Sequence, residues 1–415
     1  MPCSYRVLLG LLRFPPAANA GSLPPCTREE VVQCAKDQGV AALAYDRLKT
    51  RGPGDGDAQD YILGLKPFVL KQAWLNVQRY QDLALVLGEL DRARIPALVL
   101  KGGYLAVAVY GDPALRHMDD VDLLVPEDQI NAAFRRLSRF TGEAAADSPS
   151  GLSEFHDAAV LVGRTGFELH WALESAASGF AIDTPALFRR ARVFAPVPGL
   201  EARTLSPEDM LLHLCLHTGY HHGRTPFSTG LRSLMDLALL LEGEAQALDW
   251  NVVAARAGNW GMRRIAWLVL KLAARLLGSQ DASRHLDVAV PPEGAEAHLM
   301  TAADLLLSTH YDDLEQTYPS VAQVQCRRDW VGGGRTHTLA SALWPSRADL
   351  ANLYPRFTGR YGVPAAYLPR WWDCLGEYAR YRLSREPETR RLRHLENRRA
   401  AMLAWLRAGS EARTR

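Results

Sequence analysis

The chain has 415 residues, of which 48% are hydrophobic and 23% charged, and it carries a formal charge of +2 at neutral pH. That length supports two or three domains with real apolar cores, and the near-neutral balance offers no argument for nucleic acid or a membrane surface as partner. The cysteines, Cys3, Cys26, Cys34, Cys215, Cys326 and Cys374, are scattered without CxxC spacing, so reduced thiols in a cytoplasmic protein are expected, not a zinc site or a disulfide framework.

The first twenty residues, MPCSYRVLLGLLRFPPAANA, hold an apolar piece flanked by basic residues. The piece is too short to span a membrane and Pro15-Pro16 follow at once, so neither a span nor a signal peptide is expected. Thr27-Arg28-Glu29-Glu30 is a helix start, with Thr27 as N-cap and Glu30 in the capping-box position. Gly52 to Asp57 is a loop. A long helix is expected from Tyr61 to Arg94, kinked at Pro67, with Val69, Ala73, Val77, Tyr80, Ala84, Leu87 and Leu90 at helical spacing.

The stretch Leu98 to Val125 reads LVLKGGYLAVAVYGDPALRHMDDVDLLV. Ala97 to Leu100 is long enough for a buried strand, Lys101-Gly102-Gly103 breaks it, and Tyr104 to Tyr110 fits two turns of buried helix. Gly111-Asp112-Pro113 ends that helix. Asp119 to Val125 begins acidic and ends apolar. As a strand it puts Asp120 and Asp122 on one face and Asp119 on the other. Two carboxylates at about 5 Å repel by roughly 3 kcal/mol at an effective dielectric near 20. A hard divalent cation with oxygen ligands, magnesium or manganese, suits such a place. Glycines let backbone N–H groups approach a phosphate, and a helix N-terminus just beyond favours its charge. Lys101 is either a point charge on that phosphate or a simple strand-end charge.

After a helix opened by Pro126-Glu127 and a polar loop at 143–155, Ala158 to Val162 is apolar, Gly163 to Gly166 is turn chemistry, and Phe167-Glu168-Leu169-His170-Trp171 alternates strictly. The hairpin projects Glu168 and His170 from one face. Beyond Trp171 helical patterns dominate. Ser206-Pro207-Glu208-Asp209 starts a helix with Pro at its first position. It carries His213, His217 and His221 at spacing four. The metalloprotease signature needs a Glu where Leu214 stands, so zinc is not expected. Two further helices are expected, Leu231 to Leu241 and Trp260 to Leu277, separated by Asp249-Trp250-Asn251. A linker with Pro291-Pro292 precedes a helix from Ala295 to Ser308. Gly332-Gly333-Gly334-Arg335 lacks the strand and ending of a phosphate loop and reads as a flexible loop. The tail, Trp371 to Leu406, is a solvated helical segment with a break at Pro387. Its arginines are interleaved with Glu386, Glu388 and Glu396, and contact with nucleic acid or an acidic membrane is the minority reading.

Strand, Gly-Gly turn, helix, Asp-x-Asp strand and a later strand with one acid are similar to the nucleotidyltransferase superfamily of DNA polymerase β and kanamycin nucleotidyltransferase. The finer pattern, LKGGYLAVAVYGDPALRHMDDVDLLV, then FELHW, then HLCLHTGYHH with RSLMDLALLL, resembles the bacterial uncharacterised nucleotidyltransferase family. Weaker similarity extends to ALWPSRADLANLYP.

The resemblance implies an α/β (α+β) fold: a nucleotidyltransferase-type mixed sheet core with large helical N- and C-terminal additions. The corresponding regions are a cap at 1–94, the core at 95–200 and a helical region at 201–415. It implies transfer of a nucleoside monophosphate from a nucleoside triphosphate, ATP foremost, to an unidentified acceptor such as a small metabolite or peptide natural product. Nucleic acid is not expected as partner. Asp120, Asp122 and Glu168 match the metal-binding acids, Gly102 and Gly103 the phosphate turn, and Arg116 a basic position before the acidic strand. The superfamily's usual Gly-Ser is Gly-Gly here, which removes a hydroxyl contact to phosphate but not the backbone contacts. That departure is the one support for an alternative, a non-catalytic nucleotide- or partner-binding module. His170 either supports the metal site or is an ordinary paired strand histidine. His217 and His221 are candidate substrate contacts.

Overall fold

The computed structural model describes residues 2–14, 26–50, 56–140, 157–175, 178–220, 225–244, 247–280, 282, 292–308, 310–322 and 365–411. His221, Cys326, Pro15-Pro16, the loop at 143–155, Pro291, the glycine run at 332–334 and the stretch at 342–355 lie outside the described residues.

The fold is mixed α/β, a small mixed sheet among many helices. Helices α1 (Cys3–Leu12), α2 (Arg28–Asp37) and α3 (Ala41–Lys49) precede α4 (Gly56–Arg92). Thr27 and Glu30 form the expected capping box on α2. Helix α4 runs through Pro67. Its first half buries Tyr61, Leu65 and Val69 in a large helical core. Its second half buries Tyr80, Leu83, Val86 and Leu90 in a separate core under the sheet. Val77, on the expected apolar stripe, is 54% exposed, because the buried face runs instead through Val69, Gln72, Asn76, Tyr80 and Leu83.

The sheet follows. Strand β1 (Leu98–Val99), helix α5 (Lys101–Ala108), strand β2 (Asp120–Leu124), helix α6 (Ile130–Leu137), strand β3 (Asp157–Val162) and strand β4 (Thr165–His170) succeed one another. The spatial order is β1-β2-β4-β3, with β2 and β4 parallel and the other pairs antiparallel. Gly163, at φ 62°, makes the tight β3–β4 turn, a conformation that costs a non-glycine residue. The period-two pattern does the sorting. Val121, Leu123, Phe167 and Leu169 point into the core shared with α4 and α6, where each of the larger side chains contributes roughly 1.5–3 kcal/mol by burial. Leu98, Leu100 and Leu124 point the other way, into the helical core.

Three findings correct the sequence reading. Lys101-Gly102-Gly103 is not a turn before the helix but the first turn of α5 itself. A second hairpin, β5 (Arg192–Val197) with β6 (Leu200–Thr204), follows helix α7 (Thr184–Arg190) where only helices were expected. Thr204 Oγ1 donates to the Val99 carbonyl at 2.7 Å, fixing this hairpin to the edge of β1. Asp249 lies between helices as expected, but Trp250 and Asn251 begin a further helix that was not expected. Asp249 caps this helix, α10 (Trp250–Trp260), accepting from the Asn251 and Val252 amides.

Helices α8 (Pro207–Gly219), α9 (Gly230–Glu244) and α11 (Arg263–Leu272) are almost wholly buried in the helical core, which also takes residues of α1–α3 and of the tail. The tail forms α14 (Tyr367–Leu383) and α15 (Pro387–Glu411), after α12 (Ala295–Leu306) and α13 (His310–Thr317). It is not simply solvated. Met402, Leu403 and Leu406 are buried, and so is the Arg399–Glu396 ion pair. Cys3 and Cys26 are joined in a disulfide, against the expectation of reduced thiols, while Cys34, Cys215 and Cys374 are free. Among the described residues no helix is long and apolar enough to cross a membrane.

Glycine at 103 is required by packing. A Cβ there would lie 2.6 Å from Val99 Cγ1 and 3.4 Å from Val121 Cγ1, so helix and strand approach as closely as they do only because the side chain is missing. Gly103→Val should therefore lower unfolding free energy by about 1–3 kcal/mol through overpacking, measured by denaturant melts in chelator. Unchanged stability would show that the helix can move off the strand freely.

Candidate active site

The parallel register of β2 and β4 sets Asp122 beside Glu168, Asp120 beside Gly166 and Leu124 beside His170. Side chains two apart share a face, so Asp120, Asp122, Glu168 and His170 all project from the side opposite Phe167 and Leu169. Asp122 is the centre. Its side chain is 7% exposed, and its Oδ1 accepts from Lys101 Nζ at 2.7 Å and meets His170 Nε2 at 2.9 Å. The same imidazole nitrogen lies 3.5 Å from Glu168 Oε2. Ligand atoms of Asp122, Glu168 and His170 all fall within 4.8 Å of one another.

The charges compensate unequally. Burial alone would raise the Asp122 carboxyl, but Lys101 and His170 hold it well below the usual carboxylate range. The hydrogen bond to His170 lowers Glu168 against its burial. Burial opposes charge on His170, yet Asp122 and Glu168 outweigh it and raise the imidazole to about 9. Lys101 is likewise raised, its desolvation overcome by Asp122. Among the described residues no cation is hydrogen-bonded to Asp120, and Lys101 only partly offsets its surroundings. Burial, then repulsion from Asp122 and Glu168, pushes it up to about 6. Lys101 and His170 compensate Asp122 and Glu168 from within, and Asp120 is the acid they compensate least. A cluster of hard oxygen donors with unmet negative charge fits a divalent cation held by Asp120, Asp122 and Glu168.

Lys101 reaches Asp122 from a left-handed backbone, φ 37°, at the first residue of α5. A non-glycine residue held there costs on the order of 1–3 kcal/mol, which the buried ion pair must offset. The ammonium contacts a carboxylate here, so neither sequence role for Lys101, phosphate contact or idle strand-end charge, describes its present place. Gly102 and Gly103 remain in the first turn of α5, whose N–H groups have no acceptor within the helix. A Cβ on Gly102 would collide with Arg116.

Arg116 is held elsewhere. Its Nε and Nη2 form a two-pronged pair with Asp236 at 2.8 and 2.7 Å, both groups buried. Tyr110 donates to the same carboxylate at 2.8 Å, and Asn76 donates to the Arg116 carbonyl at 2.8 Å. The guanidinium thus ties the loop before β2 to α9. His213 and His217 line a small recess with Leu100, Lys101, His170, Leu173, Glu174 and Leu216, so His217 is brought beside the Asp122 pair. The pairing of Arg116 with Asp236, 120 residues apart, escaped sequence reading. Its one signal was that both lie in motif blocks of the resemblance.

The shifts set a pH dependence. His170, raised from 6.5 to about 9, adds stability that is full below pH 6.5 and is lost as pH rises through 9. Asp120, raised from 3.8 to about 6, runs the same way, its contribution full below 3.8 and lost as pH rises through 6. Stability in chelator should fall in two steps between pH 4 and 10. Asp120→Asn should remove the step near 6. His170→Gln should remove the one near 9, roughly 2–3 kcal/mol in the parent. Urea melts across pH check this; parallel curves for parent and His170→Gln between pH 6.5 and 9 would contradict it.

A family model described as uncharacterised nucleotidyltransferase matches residues 25–278, more than half of the chain and all of this site. No curated protein and no solved structure matches. The match covers the strands, the acids and the helices that enclose them, and the chain belongs to the uncharacterised nucleotidyltransferase family.

Proposed function

We propose that the acid face of β2 and β4 is the active centre of a divalent-metal-dependent nucleotidyltransferase. Membership of the family supports nucleotidyl transfer from a nucleoside triphosphate in general. The single observation carrying the finer reading is the register that sets Asp122 beside Glu168 with Asp120 on the same face. In the reaction an acceptor oxygen attacks the α-phosphorus, its bond to phosphorus forms, and the bond to pyrophosphate breaks.

Asp120, Asp122 and Glu168 would hold magnesium or manganese, which when bound stabilises charge on the phosphates and acidifies the attacking oxygen. The remaining work belongs to the chain. Lys101 and His170 fix the Asp122 carboxylate through Oδ1, which leaves Oδ2 as the oxygen for the metal. Glu168, with 38% of its side chain exposed, borders the acceptor. The first-turn N–H groups of Gly102 and Gly103 supply donors for phosphate oxygens without a side chain in the way. Catalysis of this kind is positioning and charge stabilisation, with no side-chain nucleophile. ATP is the first candidate donor, and a small metabolite or peptide natural product the first candidate acceptor.

Pyrophosphate release from ATP, CTP, GTP and UTP, with and without magnesium, across a metabolite library tests the reading. Release should require the metal and fall roughly 100-fold or more in Asp120→Asn. Tight triphosphate binding with no release from any donor and acceptor would favour the non-catalytic module, and equal binding in excess chelator would remove the metal from the account.

A further inference from the structure

Basic side chains from three elements converge on Asp119, the residue just before β2. His117 Nε2 lies 2.8 Å from Asp119 Oδ1, and Arg232 Nη1 of α9 donates to Oδ2 at 3.1 Å. Arg79 of α4 donates from Nη2 to the Asp119 carbonyl at 3.3 Å and from Nη1 to Asn76 Oδ1 at 3.2 Å. Two polar nitrogens in this group, the Arg79 Nε donor and the His117 Nδ1 position, are buried without a hydrogen-bond partner among the described residues.

Exposure within the cluster is lopsided. The Asp119 side chain is 63% exposed, against 26% for Arg232 and 21% for His117. The basic groups are held from behind. His117 stacks on Phe68 at 5.9 Å, and Arg232 lies one helical turn from Asp236, which Arg116 and Tyr110 lock. Asp119 is the most exposed member, although His117 and Arg232 hold its carboxyl well below the usual carboxylate range. An ion pair this open to water contributes about 0–1 kcal/mol, so a polyanion of higher charge can replace Asp119 at little cost. Asp119 directly precedes Asp120, the first residue of β2, which places the cluster at the border of the acid face. Lys101 and Arg116, the basic residues of the sequence motif, are already paired with Asp122 and Asp236.

We propose that Arg79, His117 and Arg232 form the seat for the outer phosphates of the nucleoside triphosphate, and that Asp119 occupies that seat as an internal anion until the nucleotide displaces it. The inference rests on the nucleotide-binding reading of the acid face. It makes these three positioning residues for the donor, and it makes Asp119 a competitor of the substrate and not a ligand of the metal. Opening the seat then lowers apparent affinity by the fraction of molecules in which Asp119 has left it.

Calorimetric titration of the full chain with magnesium–ATP, and separately with inorganic tripolyphosphate, tests the proposal in parent, Asp119→Asn, Arg232→Gln and Arg232→Lys. Asp119→Asn should bind both ligands more tightly, by roughly 3–10-fold. Arg232→Gln should bind them at least about tenfold more weakly, with partial rescue in Arg232→Lys. Tighter binding cannot come from a damaged fold, so the Asp119→Asn arm stands even if an arginine variant unfolds. Parent that binds magnesium–ATP while Asp119→Asn binds it no more tightly would overturn the seat and leave the nucleotide reading intact. Parent that binds neither ligand would overturn both.

Discussion

Everything at this site depends on one buried carboxylate. Asp122 sits in the middle of the sheet with almost no access to water, and an ionised carboxylate there must be paired or pay several kcal/mol for desolvation. Lys101 and His170 pair it, both at Oδ1. Those contacts bind together three pieces of chain that the topology brings to one point: the β1–α5 junction, the centre of β2 and the end of β4. The left-handed backbone at Lys101 follows from the same demand. So does the close approach of α5 to β1, which holds the junction where the ammonium can reach.

The pairing has a consequence for chemistry. A site whose acids are partly neutralised from within is preformed before any cation arrives, and it needs little reorganisation when one does. Neutralisation is weakest at Asp120, which among the described residues has no hydrogen-bonded cation. The same logic recurs one residue earlier and with opposite sign, where Asp119 satisfies basic groups that face outward. Arg116 is the fixed post between the two zones: its grip on Asp236 holds α9, and α9 carries Arg232. A buried pair of this type is strongly destabilising to break because the surviving charge is stranded, so the frame around the site is rigid where the site itself is charged.

Much of this was legible from local pattern. Strict alternation in Phe167 to Trp171, and the acidic start and apolar end of Asp119 to Val125, marked both strands and set the acids on one face, because strand periodicity depends only on neighbours in sequence. Capping chemistry at Thr27 and Ser206 was equally local, and both caps are present. The failures have physical causes too. Two glycines at the head of α5 argued for a turn, since glycine is a poor helix former, but packing against Val99 and Val121 overrides that propensity. The β5–β6 hairpin alternates only weakly between half-buried and exposed residues, so no periodic signal marked it. Counter-charges for Asp122 could not be read at all. Lys101 lies 21 residues away and His170 48, and their convergence is a property of the sheet, not of any segment.

The account's central claim is that the acid face carries unmet negative charge aimed at a divalent cation. Crystals of the chain soaked in manganese, with data collected at the manganese edge, measure this most directly. The account predicts an anomalous peak bounded by oxygens of Asp120, Asp122 and Glu168, with Lys101 still on Asp122. A well-ordered acid face without a peak at saturating manganese, or a peak only at unrelated surface carboxylates, would contradict it.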